Sequence, residues 1–554
     1  MKKGLTEIIM RAITRGQERG ELPETALPPI ILEYPREERH GDYATNIAMA
    51  MASHTGKAPR EIAEAVVRCI EDDEGVIERV DVAGPGFINF VLKEAYWQHL
   101  LREADRQGER YGEGELGRGK RALVEFLSAN PTGPLHIGHG RIAAFGDALA
   151  NLLEKVGYEV EREYYVNDIG TQMQLLGRSV YLRYLQEWEK DVEFPLDGYQ
   201  GEYISKIAHD IKKEEGDRYL VTPDERVINS MGGKASEIIL GWIKDDLERF
   251  RVRFDRWYRE KDLYKGGFAS RLLEELRAQG YLYEDGGALW FKSTLFGDEK
   301  DRVVIRANNA ATYFASDIAY HKDKYDRGYD LLIDIWGADH HGYIPRMEAV
   351  IQALGCDRSL FKVILVQLVN LLRGGKQVSM STRTGEFTSL EDVIKEVGVD
   401  ACRYFFMLRR ADSPLDFDLE LAKKEGAENP VYYVQYVHAR IASIFKKAAE
   451  MGVEVPTFDD VDISLLRLPE ERLLAKRVAI YPEILEGMAL ALEPHRLTSY
   501  LQELAGIFHS YYNKHRVISD DREITKARFL LVKVTQGVVR SALGLLGITA
   551  PTEM

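Results

Sequence analysis

Cysteine is scarce in this chain, and long apolar runs are absent. The 554-residue sequence has three cysteines, Cys69, Cys356 and Cys402, which lie far apart and form no Cys-x-x-Cys pair. That spacing argues against a disulfide framework or a cysteine zinc site and is typical of a reducing cytosol. There is no apolar signal-peptide core and no apolar run long enough to span a membrane. We therefore expect a cytoplasmic protein without a membrane partner.

Net positive charge is also lacking, since 89 acidic residues outnumber 74 basic ones and give a formal net charge of −15. Taken alone, this balance argues against a nucleic-acid-binding protein, because phosphate contacts need lysine and arginine. Steering depends on local fields, however, and from residue 510 onward seven basic residues face four acidic ones. This mildly basic segment is compatible with RNA contact and equally compatible with a solvated helical face.

The length predicts three or four domains, because a single core rarely serves 554 residues. Residues 1–107 have the pattern of a compact α+β module, and residues 108–120, rich in Gly, Arg and Glu, that of a linker. From there strands and helices alternate, which is the signature of a Rossmann-like parallel sheet. We assign this α/β domain to residues 121–388, with a charged, mostly helical insertion at about 184–261.

Four runs in this domain predict strands of the parallel sheet: Ala122–Leu127, Glu159–Val166, Leu331–Trp336 and Val363–Leu368. A hairpin pattern spans residues 280–291, with two glycines at its turn.

After Phe387 the strand signals fade and amphipathic helical patterns follow. Residues 389–428 are expected to form a connecting helical segment, with a helix pattern over 390–410 and a loop at 412–418. Residues 429–554 predict an all-helical bundle.

One short stretch carries most of the chemical information, Ser128-Ala129-Asn130-Pro131-Thr132-Gly133-Pro134-Leu135-His136-Ile137-Gly138-His139-Gly140-Arg141. It follows a predicted strand and opens a predicted helix over 138–155. Its two histidines, three residues apart, lie on one side of that helix, beside unpaired backbone N–H groups and the positive end of the helix dipole. Such a place suits phosphate. A surface pair, or two ligands of a metal, would show the same histidine spacing.

This strand–loop–helix with His-Ile-Gly-His resembles the ATP site of the class I aminoacyl-tRNA synthetases, and the longer stretch resembles the arginyl-tRNA synthetases in particular. The resemblance implies ATP with Mg²⁺ and no metal site made by protein alone. It assigns His136 and His139 to the phosphates in the transition state and places Gly138 under the adenine. Such phosphorus chemistry is mostly positioning and electrostatics, which histidines at a helix N-terminus can supply.

A cationic substrate side chain needs carboxylates in its pocket, since an unpaired buried charge is costly in either partner. Glu125 lies on the strand before the loop, and Tyr313 and Asp317, four apart, share one face of a predicted helix. That helix resembles the arginine-binding helix of the arginyl family, where a Tyr and an Asp meet the guanidinium together with a strand Glu. By the same resemblance, Asn130 meets the amino and carboxylate end of arginine. Without it, Asp317 would be a solvated helix carboxylate.

A further run, Trp336–Gly342, ends a predicted strand, where open α/β sheets place their ligands. Asp339 is a candidate for the substrate amine, and His340 or Gly337 for the ATP ribose. Asp-His-His is also the name motif of a metal-dependent phosphoesterase family, but the further aspartate motifs of that family are missing from the sequence.

The second signature of the class, Lys-Met-Ser-Lys-Ser, is degenerate in this chain and reads Gln377-Val378-Ser379-Met380-Ser381-Thr382-Arg383. Met380 and Ser381 match, but other residues replace both lysines. The resemblance assigns Met380 to ATP binding, and Ser381 and Arg383 to catalysis. Arg383, with Arg373 or Lys376, would supply the positive charge, and an arginine can do so through a bidentate fork. A plain basic surface loop is the alternative for Arg373 and Lys376.

Both ends of the chain resemble the RNA-binding modules of arginyl synthetases. His40–Tyr43 with Asn46 match the N-terminal module, which touches the corner of the tRNA in that family. The stretch from Asn429 resembles the opening of the anticodon-binding bundle, where aromatic and basic residues hold unpaired bases. The candidates for tRNA contact are Asn46, Tyr511, Asn513 and Arg516. A tyrosine stripe at helical spacing is also typical of a packed core.

Together these resemblances imply an arginine–tRNA ligase that forms arginyl-adenylate and charges the 3′ end of tRNA(Arg), releasing pyrophosphate and AMP. They also imply a monomer that needs tRNA in the activation step. Two alternatives remain, a different adenylyltransferase with the same ATP loop and a non-catalytic RNA-binding paralogue. The acidic pair Glu125 and Asp317 argues against the first, and the intact loop histidines argue against the second. The degenerate signature loop favours the paralogue.

Overall fold

The computed structural model describes residues 1–35, 37–189, 191–220, 224–378, 388–453 and 461–554. The chain divides into two compact units, each made of three segments. The first unit contains Met1–Gly112, Ile441–Leu485 and Gly506–Val538; the second contains Glu113–Arg440, Glu486–Ala505 and Val539–Met554. Among the helices of the described ranges, none combines the length and the apolar character that crossing a membrane requires.

The first unit has an antiparallel four-stranded sheet flanked by helices. Its strands are β1 (Leu32–Glu33), β2 (Tyr43–Thr45), β3 (Ile77–Ala83) and β4 (Phe87–Leu92), in the order β1-β2-β4-β3. The helices before and after these strands are α1 (Lys2–Glu18), α2 (Ile47–Thr55), α3 (Pro59–Arg68) and α4 (Glu94–Gln107). Apolar residues at helical spacing on α1, such as Leu5 and Ile9, join Ile88 and Phe90 of β4 in one buried core.

The second unit is built on a parallel five-stranded sheet. The remaining strands of the chain are β5 (Arg121–Phe126), β6 (Glu159–Val166), β7 (Arg256–Arg259), β8 (Leu282–Asp285), β9 (Ala288–Phe291), β10 (Arg302–Ile305), β11 (Leu331–Gly337), β12 (Phe361–Val366), β13 (Val369–Arg373), β14 (Lys376–Gln377) and β15 (Leu415–Asp418). The parallel sheet has the order β12-β11-β5-β6-β7, and two smaller sheets have the orders β10-β9-β8 and β14-β13-β15. The predicted α/β class and parallel sheet are confirmed.

Helices cover the sheet and make up the C-terminal region. They are α5 (Ile137–Lys155), α6 (Thr171–Gln186), α7 (Glu202–Glu215), α8 (Glu225–Arg249), α9 (Phe268–Ala278), α10 (Tyr313–Asp326), α11 (Ile344–Ala353), α12 (Leu390–Val397), α13 (Val399–Phe406), α14 (Leu419–Ala422), α15 (Pro430–Glu450), α16 (Pro469–Ala479), α17 (Tyr481–Ala491), α18 (Arg496–Lys514) and α19 (Arg522–Leu545). Ile318 of α10 and Met347 of α11 are buried with Leu332 of β11, so these helices pack on one face of the sheet.

Two local predictions were wrong. Strand β7 lies inside the stretch predicted to be mostly helical, because a strand of four residues that begins with Arg256 and ends with Arg259 carries little strand signal. The loop predicted at 412–418 contains β15, which pairs in parallel with the distant β13. The helical stretch predicted over 390–410 consists of two helices, α12 and α13, separated by Gly398 with a φ of +80°.

Candidate active site

The loop that follows β5 has an unusual backbone. Leu127 and Ser128 both have positive φ, +70° and +38°, which non-glycine residues seldom adopt. Side-chain bonds hold this turn, because the Ser128 hydroxyl donates to Glu125 Oε1 at 2.8 Å and accepts the Tyr165 backbone N–H at 3.1 Å. A strained turn kept by specific bonds is common where a protein must aim functional groups.

The two histidines of the loop cap helix α5 and each other. His136 Nδ1 accepts the backbone N–H groups of Gly138 and His139 at 3.1 and 3.3 Å, and His139 Nδ1 accepts that of His136 at 3.3 Å. The rings are stacked, with centroids 3.6 Å apart. A Cβ on Gly138 would lie 3.0 Å from the His136 ring, so glycine suits this position.

These contacts determine the chemistry of the pair. Because each Nδ1 is an acceptor, each ring carries its proton on Nε2. Burial lowers the pKa of His136, and it lowers the pKa of His139 to about 3. Both side chains are therefore neutral hydrogen-bond donors at neutral pH.

Arg141, the last residue of the motif, has a structural role. It is buried, and its guanidinium donates to the carbonyl oxygens of Gln367, Ser413 and Arg410 at 2.8, 2.9 and 2.8 Å. These bonds attach the first turn of α5 to the segments that follow β12 and precede β15.

Buried and half-buried carboxylates gather beside this loop, on the face of the sheet that packs against α10. Asp317 accepts a hydrogen bond from the Tyr343 hydroxyl, and burial raises its pKa. Glu260, directly after β7, is 2% exposed, and burial raises its pKa to about 7. Among the described residues, neither carboxylate has a cation within ion-pair distance. Glu125 differs, because its Oε2 lies 2.5 Å from Lys324 Nζ.

Tyr165 stands among these three carboxylates. The negative charges of Glu260, Asp317 and Glu125 add to burial in raising the pKa of its phenol. The buried hydroxyl interacts with the Glu260 carboxylate, and this contact opposes the rise in the pKa of Glu260. Carboxylates in excess of cations, with a hydroxyl between them, form a site suited to a cation that has several N–H donors.

The segment that follows β11 is open by contrast. The Asp339 and His340 side chains are 78% and 61% exposed and lie 3.6 Å apart, from Oδ2 to Nε2. A Cβ on Gly337 would lie 2.5 Å from Asp339 Oδ1. No group of three or more metal-ligating side chains was found in the described part of the chain.

Comparisons with known proteins give matches to one family along the whole chain. Three family models match, namely arginyl tRNA synthetase N terminal domain over residues 3–92, tRNA synthetases class I (R), catalytic domain, over 101–412, and DALR anticodon binding domain over 434–554. The arginine–tRNA ligase of Geobacter sp. (strain M21) is 52% identical over 555 residues, which cover 100% of both chains. The chain belongs to the arginyl-tRNA synthetase family.

Two further matches agree with this assignment. The arginine–tRNA ligase of Citrifermentans bemidjiense is also 52% identical, with 100% of both chains covered. The structure of Thermus thermophilus arginyl-tRNA synthetase, 23% identical, superposes with a TM-score of 0.78 over 100% of both chains and shows the same fold. The resemblance to arginyl-tRNA synthetases, a class I ligase fold, is thereby confirmed.

The residues predicted for the arginyl-tRNA synthetase site differ in their surroundings. We call Glu125, Asp317 and Glu260 the acidic cluster. The predicted residues Glu125 and Asp317 thus lie together, beside Tyr165. Asn130 is exposed in the loop. Tyr313, at the first turn of α10, is 41% exposed. Met380, Ser381 and Arg383 lie outside the described residues.

Of the two cations considered as substitutes for the signature lysines, Arg373 is already engaged. It forks onto Glu396 at 2.7 and 2.9 Å and contacts Glu420 at 3.2 Å. Lys376 is exposed on β14. Arg373 is therefore the weaker candidate.

Tyr511 requires a correction. It was predicted as a surface for stacking tRNA bases, but it is fully buried, and burial raises the pKa of its phenol. The tyrosine stripe of α18 thus includes a core position, because helical spacing does not tell the packed face from the open one. Asn46, Asn513 and Arg516 are exposed.

Sequence reasoning missed Glu260, Tyr165 and Lys324. Glu260 follows a strand at the carboxyl edge of the sheet, so the rule that selected Asp339 would have found it had β7 been recognised. Lys324 lies seven residues after Asp317 and so on the same face of α10, a spacing that was available in the sequence.

Proposed function

We propose that this chain is an arginine–tRNA ligase. The carboxylate of L-arginine attacks the α-phosphorus of ATP and pyrophosphate leaves; a ribose hydroxyl at the 3′ end of tRNA(Arg) then attacks the arginyl carbonyl and AMP leaves. The observation that carries the proposal is the cluster of carboxylates without matching cations, half-buried Asp317 and buried Glu260 above all. Full-length similarity to arginine–tRNA ligases supports it.

The acidic cluster is proposed to hold the guanidinium of the substrate. A guanidinium is always charged and presents five N–H donors in a planar fork, so it can serve several carboxylates and hydroxyls at once. Asp317, Glu260 and Glu125 are its proposed carboxylate partners, and the Tyr313 and Tyr165 hydroxyls accept further bonds. Asn130 and Asp339 are proposed to bind the amino and carboxylate end of arginine.

The histidine pair is proposed to act on ATP. Each Nε2–H donates to a phosphate oxygen as charge develops during attack, and the N-terminus of α5 adds its dipole. Gly138 leaves room for adenine, Gly337 and His340 lie at the ribose, and Met380 contacts the nucleotide. Ser381 and Arg383 are proposed to face the leaving pyrophosphate.

Mg²⁺ is proposed to enter with the phosphates of ATP, as the family resemblance implies. Asn46, Asn513 and Arg516 are proposed to contact tRNA. We further propose a cytoplasmic monomer whose activation step requires tRNA, as the family resemblance implies.

The test is amino-acid-dependent ATP–pyrophosphate exchange, measured against all amino acids with and without total tRNA. Exchange with arginine alone is the expected result, and dependence on tRNA would support its role in activation. Exchange with another amino acid would overturn the pocket assignment. No exchange from folded protein with tRNA present would overturn the enzymatic function.

A further inference from the structure

Three carboxylates stand side by side across the parallel sheet, and we call them the carboxylate row: Asp334, Glu125 and Glu163. Asp334 of β11 is in register with Glu125 of β5, which is in register with Glu163 of β6. Register neighbours of a parallel sheet point to the same face. All three are buried. Adjacent buried carboxylates cannot all stay ionised without compensating cations.

Helix α10 and the residue after it supply this compensation. Lys324, whose side chain has no solvent exposure, places Nζ 2.5 Å from Glu125 Oε2 and 2.6 Å from Asp334 Oδ1. Arg327 donates to both oxygens of Glu163 at 2.6 and 2.8 Å. Within the described residues, Lys324 is the cation in ion-pair contact with Glu125.

Lys324 also restricts the geometry of Glu125. One carboxylate oxygen is held by Lys324 and the other by the Ser128 hydroxyl, which is itself fixed by the Tyr165 backbone N–H. The carboxylate therefore has a set orientation before any substrate binds. Preorganised charge of this kind binds a substrate at lower cost than charge that must be ordered on binding.

We propose that Lys324 is a positioning residue for arginine recognition, which keeps Glu125 ionised and oriented toward its role at the guanidinium. This inference rests on the proposed arginine–tRNA ligase function. Lys324 does not touch the substrate; it acts through Glu125.

The groups that face Glu125 explain why the lysine is needed. Asp334 from β11 disfavours its charge, while Lys324 and His321 from α10 favour it. Glu163 from β6 is paired with Arg327, and the Tyr165 and Tyr320 phenols stay neutral. Burial raises the pKa of Glu125 and Lys324 opposes that rise. Without the lysine, the pKa of Glu125 rises further, which favours its protonated form, a poor acceptor for a guanidinium.

The test compares Asp334→Asn with Lys324→Met/Asp334→Asn. The double variant removes one negative and one positive charge, so the net charge of the buried groups stays that of the wild type and the fold is protected. In the exchange assay with tRNA, the single variant should keep the arginine KM within about threefold of wild type, while the double variant raises it about tenfold or more and leaves the ATP KM within about twofold.

The pH profile separates positioning from structure. The ratio of the two arginine KM values, double over single, should fall as pH rises from about 6.5 to about 8.5, because high pH ionises Glu125 again. Equal arginine KM values in the two variants would overturn the proposal. So would a ratio independent of pH with parallel loss for ATP.

A second pair of variants distinguishes the proposed positioning role from a folding defect. In Glu125→Gln, the substitution Lys324→Met should change the arginine KM by no more than about twofold, because the residue through which Lys324 acts is gone. A further rise of about tenfold there would overturn the proposal. The wild-type protein is assayed first, since absence of arginine-dependent exchange from it would reject the proposed function itself.

Discussion

Two regions at the carboxyl edge of the parallel sheet are assigned to the same small substrate, yet they are built differently. The acidic cluster on the α10 side contains buried Glu260 and half-buried Asp317, with the Tyr165 phenol between them and Glu125. The segment after β11 exposes Asp339 and His340 to water. The charged groups of the first region are held in place before a substrate binds, whereas those of the second region are solvated.

The difference follows from what each region has to recognise. A guanidinium must be desolvated to be told from other side chains, and buried carboxylates repay that cost only if they are held in place beforehand. The amino and phosphate groups common to all such reactions can be met by solvated side chains that order on binding. We therefore expect specificity to lie in the preorganised region, and substitutions there should have the larger effects.

The largest effect is expected from Asp317→Asn, which keeps shape and removes charge. Loss of a buried charged partner costs about 4 kcal/mol, so kcat/KM for arginine should fall about a thousandfold. The measurement is arginine-dependent exchange, and the ATP KM should change little. Asp326→Asn, on the same helix but half exposed, is the matched control and should stay near wild type. A loss shared equally between arginine and ATP would remove Asp317 from the pocket.

The next effect tests the proposed ATP site, where the two histidines are half-buried and neutral. His139→Ala removes one donor to the phosphates and should lower kcat for exchange about a hundredfold, with little change in tRNA binding. His341→Ala, an exposed histidine after β11, should leave turnover within about threefold. Because the pKa of His139 is about 3, its protonation should leave no inflection in the pH profile near neutrality. Unchanged turnover in His139→Ala would reject the assignment of the loop.

The third effect is a pH dependence of the arginine KM, which follows from the burial of Glu260. The proposed pocket binds arginine through ionised Glu260, whose pKa burial raises to about 7, so the arginine KM should rise about tenfold for each pH unit below 7. Glu260→Gln should flatten that slope, whereas Glu274→Gln, exposed on α9, should keep it. A slope that survives in Glu260→Gln would assign the titration to another group.

The same group links pH to stability. A carboxyl whose pKa is raised from about 4.5 to about 7 binds more protons in the folded than in the unfolded state, so this group's contribution to stability falls as pH rises through that window. Arginine, by pairing the carboxylate, should offset that loss. Thermal melting at about pH 5.5 and about pH 8, with and without arginine, measures it.

The contrast also explains what sequence reasoning could reach. The strands with long apolar runs and the face shared by Tyr313 and Asp317 follow from local spacing, and both were predicted. Glu260 depends on β7, four residues whose pairing with β6 is a tertiary event. The contact of Lys324 with Glu125 joins residues 199 apart, and it exists only because β5 and β11 are in register. Burial of Tyr511 escaped notice because periodicity does not say which face is covered.

The smallest effect is expected at Asp339. Its size tests most directly whether the two regions differ in preorganisation. A carboxylate this exposed is screened by water, so Asp339→Asn should cost about 1 kcal/mol, or about a fivefold rise in the arginine KM. The measurement is the same exchange assay as for Asp317→Asn. Asp330→Asn is not a suitable control, because the Asp330 carboxylate accepts the Arg121 backbone N–H. An effect near that of Asp317→Asn would mean that the segment after β11 closes over the substrate and buries Asp339. Both regions would then be preorganised by the ligand rather than by the fold alone, and the distinction drawn between them would fail.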